Sequence, residues 1–126
     1  MPKNISNIAD LIRETLIKLL RKDKNIFLIG EGVNDPKGIF GTTKGLNKIF
    51  KNRVIESPIS ENAVTGVAIG AAKMGMRPIV IHQRVDFIFY ALEQIINSMS
   101  KTYYITNGKF NVPIVIRLIV GKVLLF

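Results

Sequence analysis

Arg53–Ile81, RVIESPISENAVTGVAIGAAKMGMRPIVI, holds two apolar runs separated by a stretch of small and aliphatic residues. Arg53 to Glu56 predicts a brief strand, and Pro58 turns the chain toward a helix running from about Glu61 to Met74. Gly75 stands where that helix must close with a left-handed residue. Pro78 to Ile81 is then a β-branched run of strand type. Strand, helix and strand in this order are the unit from which parallel sheets are built.

The same alternation extends outward in both directions. Upstream, Ile26 to Ile29 reads as a buried strand that empties at Gly30 and Gly32 into a loop of turn formers, Asn34, Asp35, Pro36 and Gly38. Thr42 or Thr43 is expected to start a short helix through Phe50. Before the first strand, Ile8, Leu11, Ile12, Leu16, Leu19 and Leu20 follow the spacing of an amphipathic helix, with Ser6 or Asn7 to cap it and an end near Lys22. Downstream, a long helix is expected from about Phe87 to Tyr103. Asn107 and Gly108 mark a turn, and Val112, Ile114, Val115 and Ile116 form a further buried strand. The fold class is therefore α/β, a mainly parallel sheet with helices on both faces.

A chain of 126 residues with 48% hydrophobic content suits one domain with a real core. It holds no cysteine, so disulfides and thiolate metal sites are excluded. MPKNISNIADLIRE lacks the basic segment and apolar run of a secretory signal. The longest apolar candidate for a membrane span, Val112 to Phe126, is interrupted by Pro113, Arg117, Gly121 and Lys122. These readings predict a cytoplasmic protein with no membrane partner. The net charge of +9 invites a nucleic-acid reading. However, Lys18, Lys22, Lys24, Lys37, Lys44, Lys48 and Lys51 are scattered and no nucleic-acid motif accompanies them. A solvated basic surface, or a basic face for an acidic partner subunit, is preferred to nucleic acid.

In parallel sheets, ligands bind at the carboxyl ends of strands. That rule gathers Glu31, Glu61 and the segment Gln83 to Phe87 on one rim. A carboxylate at a helix start is stabilised by the helix dipole and by free N–H groups, so Glu61 has a purely structural explanation as well as a functional one. Behind it, Ala63, Gly66, Ala68, Gly70, Ala71 and Ala72 make a helix poor in bulk that lets another backbone approach closely. Each interior glycine costs the helix roughly 1 kcal/mol relative to alanine, and a subunit interface is a candidate for the compensating packing.

Glu61, Gly66 and Gly70 reproduce the spacing E-x4-G-x3-G of thiamine diphosphate enzymes. Around them, FLIGEGV (Phe27 to Val33), TTKGL (Thr42 to Leu46), RVIESPISE (Arg53 to Glu61) and GAAKMGMRPIV (Gly70 to Val80) form a collinear series. ALEQIINSMSKTYY (Ala91 to Tyr104) and NVPIVIR (Asn111 to Arg117) continue it. Over about residues 8 to 117 the chain resembles the beta subunits of thiamine-diphosphate-dependent 2-oxoacid dehydrogenases of pyruvate, branched-chain and acetoin type. This resemblance implies that residues 1–126 are the N-terminal portion of a transketolase-like pyrimidine-binding domain.

The resemblance further implies that Glu61 hydrogen-bonds the aminopyrimidine ring nitrogen of thiamine diphosphate. Gln83 and Phe87 would hold the pyrimidine, Tyr90 lies close behind, and Glu31 would support the cofactor from further out. Apolar neighbours such as Ile59 and Val64 would enclose the Glu61 carboxyl and help it share a proton. The cofactor would be shared with an alpha subunit that binds the pyrophosphate and its magnesium, so no metal site is expected in this chain. A homo- or hetero-oligomer is implied as well.

Departures from the family pattern also carry information. HQRVDF, His82 to Phe87, is closer to the branched-chain and acetoin types than to the pyruvate type. His82, the only histidine, is expected to be a hydrogen-bonded structural residue before a substrate contact. Gly32 stands where a second acid is often found. After Arg117 the family continues through a glycine-rich loop and a C-terminal domain, whereas here LIVGKVLLF follows. The expectation is a truncated or split gene product, with a catalytically silent remnant or assembly module as the alternative to a working subunit.

Overall fold

The computed structural model describes residues 7–120. Helix α1, Ile8–Lys22, starts at Asn7, whose Oδ1 accepts the Asp10 N–H at 3.0 Å. Asn7 therefore satisfies one of the donors that a helix start leaves open; the other cap candidate, Ser6, lies outside the described residues. Arg21 and Lys22 in the last turn complement the helix dipole.

Strands β1 (Ile26–Gly30), β2 (Val54–Glu56), β3 (Arg77–His82) and β4 (Val115–Leu118) form one parallel sheet in the order β2-β1-β3-β4. Leu28 of β1 pairs with Val54 on one side and Ile79 on the other. Because strand side chains alternate between faces, the core divides in two. Leu28, Ile79 and Ile81 pack with Leu16 and Leu20 of α1, while Phe27, Ile29 and Val80 pack with Val64 and Ala68 of α3, Glu61–Lys73. Both faces are covered, as the alternation predicts. Each large aliphatic side chain so buried contributes about 1.5–3 kcal/mol. Among the described residues, no helix is long and apolar enough to cross a membrane.

Three boundaries differ from the sequence reading, each for a local reason. The short helix α2 spans only Leu46–Ile49 and is preceded by Gly45 at φ 73°, so neither Thr42 nor Thr43 starts it. A 3₁₀ turn at Ile39–Gly41 comes before these threonines, and residues 42–45 form turns. The long helix expected from Phe87 is a composite: a 3₁₀ segment Val85–Ala91, a π segment Gln94–Met99 and α4, Ser100–Ile105. Polar groups compete for its backbone. Ser100 and Thr106 hydroxyls donate to the carbonyls of Ile96 and Thr102, and Asn62 donates from α3 to the Tyr90 carbonyl at 3.3 Å. Finally, β4 begins at Val115 and not at Val112, because Pro113 has no N–H and the Ile114 N–H is turned back to the Val112 carbonyl at 2.9 Å.

From β1 the chain moves to β2 on one side, then crosses through α3 to β3 on the other side of β1. The connections thus diverge between the carboxyl ends of β1 and β3, which leaves a crevice there.

Candidate functional site

Gly30 ends β1 where a side chain cannot fit: a Cβ there would lie 2.1 Å from the Ile81 carbonyl oxygen of β3. This close approach draws Glu31 into the crevice, and Glu31 is only 7% exposed. Opposite it, Glu61 opens α3 and is 8% exposed. Ser60 provides no side-chain cap, so a carboxylate takes the first turn. Glu56, at the end of β2, accepts the Gly32 N–H at 2.6 Å on one oxygen and the Asn34 N–H at 2.8 Å on the other. These two charge-assisted bonds tie the β1 loop to β2.

His82 at the end of β3 is 1% exposed, and its Nε2 lies 3.1 Å from the Thr65 hydroxyl of α3. It is the hydrogen-bonded histidine that the sequence suggests. Burial holds its pKa below the ordinary 6.5, and the Glu61 charge opposes that shift. Glu31 moves in the other direction, above 4.5. Burial is the first cause and the Glu61 charge the second; a backbone hydrogen bond from Ser60 opposes the rise and Glu56 adds to it. One Glu31 oxygen, Oε1, is buried without a hydrogen-bond partner.

The remaining sequence candidates lie around this pair with different degrees of enclosure. Gln83 is exposed and lines an open cleft of about 270 Å³ with Gly32, Asp35, Lys37, Ile39 and Phe40. Phe87 is half-buried, with the Arg84 guanidinium 5.7 Å from its ring centroid. Tyr90 is exposed and is held through its carbonyl by Asn62. Ile59 is 84% exposed, so it does not enclose the Glu61 carboxyl as expected; it precedes the helix on a bend that turns outward, while Val64 packs on the sheet. Two residues escape the sequence reading. Glu56 is legible only as a strand residue, although a carboxylate at the end of a strand is a signal. Thr65 has no local signal, since its partner His82 lies in the next strand. Among the described residues, no group of three or more His, Asp or Glu side chains is arranged to hold a metal ion.

An acid at the head of a crossover helix, over the divergence point of a parallel sheet, is placed to exchange a hydrogen bond or a proton with a ligand bound in the crevice. Residues 6–122 match the family model of the transketolase pyrimidine binding domain. The chain belongs to that family. Within this pyrimidine-binding family, it is 40% identical over 111 residues to the pyruvate dehydrogenase E1 component subunit beta of Cyanidium caldarium, covering 87% of this chain and 34% of that one. Identity is also 40% over 111 residues to the human mitochondrial pyruvate dehydrogenase E1 component subunit beta, covering 87% and 31%. It is 38% over 115 residues to the 2-oxoisovalerate dehydrogenase subunit beta of Bacillus subtilis, covering 90% and 35%. The chain thus spans about a third of the length of these curated relatives.

Proposed function

We propose that this pyrimidine-binding chain is the pyrimidine side of a thiamine-diphosphate-dependent 2-oxoacid dehydrogenase, with Glu61 as its catalytic residue. The observation that carries this reading is the buried Glu61 at the head of α3, over the crevice between β1 and β3, in a chain similar to beta subunits. Bound thiamine diphosphate supplies the carbanion chemistry of oxidative decarboxylation. The residues present fit it: a carboxyl group is the donor or acceptor that an aminopyrimidine ring nitrogen needs, and Glu31 adds a buried oxygen with no partner beside it.

Glu61 would hold and return a proton at that ring nitrogen. Gln83 would hydrogen-bond the ring edge, and the half-buried Phe87 would offer it an aromatic face. Glu56 fixes the loop that carries Glu31. Pyrophosphate and magnesium would be held by an alpha subunit, so the cofactor is shared across an interface. Ile59, Tyr90 and Val67, all exposed, supply apolar surface for such an assembly.

The test is hydrogen–deuterium exchange at the reactive carbon of the cofactor, followed by NMR in an assembly with an alpha subunit and any further beta-subunit segment it needs. Glu61→Gln keeps the size of the side chain but cannot move a proton, so exchange should fall roughly 10²-fold or more, the scale of positioned acid–base catalysis. Equal exchange in both assemblies with cofactor fully bound overturns the assignment. An assembly that forms but binds no cofactor supports the alternative reading, an assembly module without catalysis.

A further inference from the structure

We propose that Arg117 anchors a second binding site, separate from the crevice, that takes a short aliphatic monocarboxylate at the end of β4. Arg117 is half-buried and pairs with Ile81 of β3 in the sheet. Its Nη2 donates to the Thr42 hydroxyl at 2.7 Å, and that hydroxyl donates in turn to the Ile39 carbonyl at 2.8 Å. The turn at residues 39–42 thereby fixes how the planar guanidinium is set. Nε and Nη1 are shut off from water and meet no acceptor. Among the described residues no carboxylate forms an ion pair with Arg117. Burial pulls its pKa below the ordinary 12.5, but a guanidinium does not discharge in a protein, so the positive charge stays. A charge withdrawn from water with unmatched donors is costly until an anion pairs with it.

The walls decide which anion. Arg117 and Thr42 line a cavity of about 280 Å³ with Ile8 and Ala9 of α1, Phe40 and Ile119. None of the lining side chains is acidic, and Arg117 carries the only charge among them. The volume lies just under the roughly 300–1,000 Å³ of pockets for drug-sized molecules, which suits a small ligand. Phosphate would lose its water against hydrocarbon and gain nothing from it. A carboxylate on a few carbons instead offers its charge to Arg117 and its tail to the apolar wall. The start of α1, in that wall, adds the positive end of the helix dipole. Ile8 and Phe40 are 75% and 76% exposed, so the core does not hold them and they are free to close over the tail. Glu31, Glu61 and Gln83 do not line this cavity, and the site stands or falls independently of the function proposed above.

The experiment is an NMR titration of the ¹⁵N-labelled chain with sodium butyrate, read at the arginine Nε–H groups and the Thr42 amide. 1-Butanol and sodium phosphate, at matched ionic strength, are the comparison probes. Butyrate should shift the Arg117 Nε–H and Thr42 signals saturably, with a dissociation constant on the order of millimolar for so small a ligand. Butanol lacks the charge and phosphate lacks the tail, so neither should do so. Arg117→Lys assigns the Nε–H signal by its loss. Ala9→Phe leaves Arg117 in place but fills the cavity; with amide spectra showing that the fold is kept, it should abolish the butyrate response. No saturable shift in the wild type overturns the proposal, as does a response to phosphate or butanol equal to that to butyrate. These outcomes are read on the wild type alone, so they decide even if neither variant folds. A butyrate response that survives in a folded Ala9→Phe chain overturns the placement in this cavity.

Discussion

Helix α3 and the helical segment 85–105 pack on each other, yet they are built in opposite ways. α3 is a regular helix that buries Glu61, Val64, Thr65, Ala68, Ile69 and Ala72, so its position is set by the sheet beneath it. The segment 85–105 changes from 3₁₀ to π to α geometry and buries only Ala91 and Thr102. It carries more aromatic surface than α3 but leaves Phe89, Tyr90, Tyr103 and Tyr104 exposed. Apolar content alone does not make a core; a rigid neighbour must be there to receive it. α3 thus offers a fixed platform for Glu61, whereas 85–105 is shaped by side-chain hydrogen bonds and by what α3 lends it through Asn62.

The contrast should be broadest in stability. Ile69→Ala removes a buried side chain from α3 and is expected to cost about 2–5 kcal/mol, whereas Tyr104→Ala, at a position 87% exposed, should stay within about 0.5 kcal/mol. Urea titrations of both variants check this, and equal losses would erase the distinction. Next in size is Thr65→Val. It keeps the shape of α3 but leaves the buried His82 ring without its partner, at a cost of about 1–3 kcal/mol.

A smaller effect concerns pH, with opposite signs for two groups at the α3 end of the crevice. The folded pKa of His82 is lowered, so its contribution to stability is present above 6.5 and is lost as the pH falls through the folded value. That of Glu31 is raised, so its contribution is present below 4.5 and is lost as the pH rises through the folded value. Unfolding free energies measured across pH should therefore show a loss on acidification that His82→Gln flattens, and a loss on the rising side that Glu31→Gln flattens. Slopes unchanged by either variant would mean that burial at the crevice does not govern these groups.

The smallest expected change in folding comes from Gly66→Leu. A Cβ at Gly66 would lie 3.3 Å from the Gln94 side-chain oxygen, and that flexible end can move aside. The sheet should survive while association weakens, because bulk is added to the stripe of small residues on α3. Sedimentation of the variant with the proposed alpha subunit tests this. Unchanged association would assign the assembly surface to the 85–105 segment instead.

Much of the architecture was legible in short windows of sequence. The β-branched runs at Ile26, Val54 and Ile79, punctuated by Gly30, Pro58 and Gly75, specify strand, turn and helix through the conformational limits of a few neighbouring residues. Asn7 caps α1 through a bond three residues along the chain. The E-x4-G-x3-G spacing likewise marked Glu61 as an acid at a helix start. Boundaries failed where a nearby element competed for the backbone: at Gly45 before α2, at Pro113 before β4, and in 85–105, where Asn62 reaches the Tyr90 carbonyl.

Only the tertiary structure decided which acids are deprived of water. Glu31, Glu56 and Glu61 are all acids at element ends in the sequence. Yet Glu56 is tied to two backbone N–H groups 22 and 24 residues away, and Glu31 is left with a buried oxygen that has no partner. The difference arises because β1 and β3 close at Gly30, and because α3 brings Glu61 back over the crevice. Desolvation and charge coupling depend on distances between elements remote in the chain, whereas helix, strand and turn preferences depend mainly on neighbours along it.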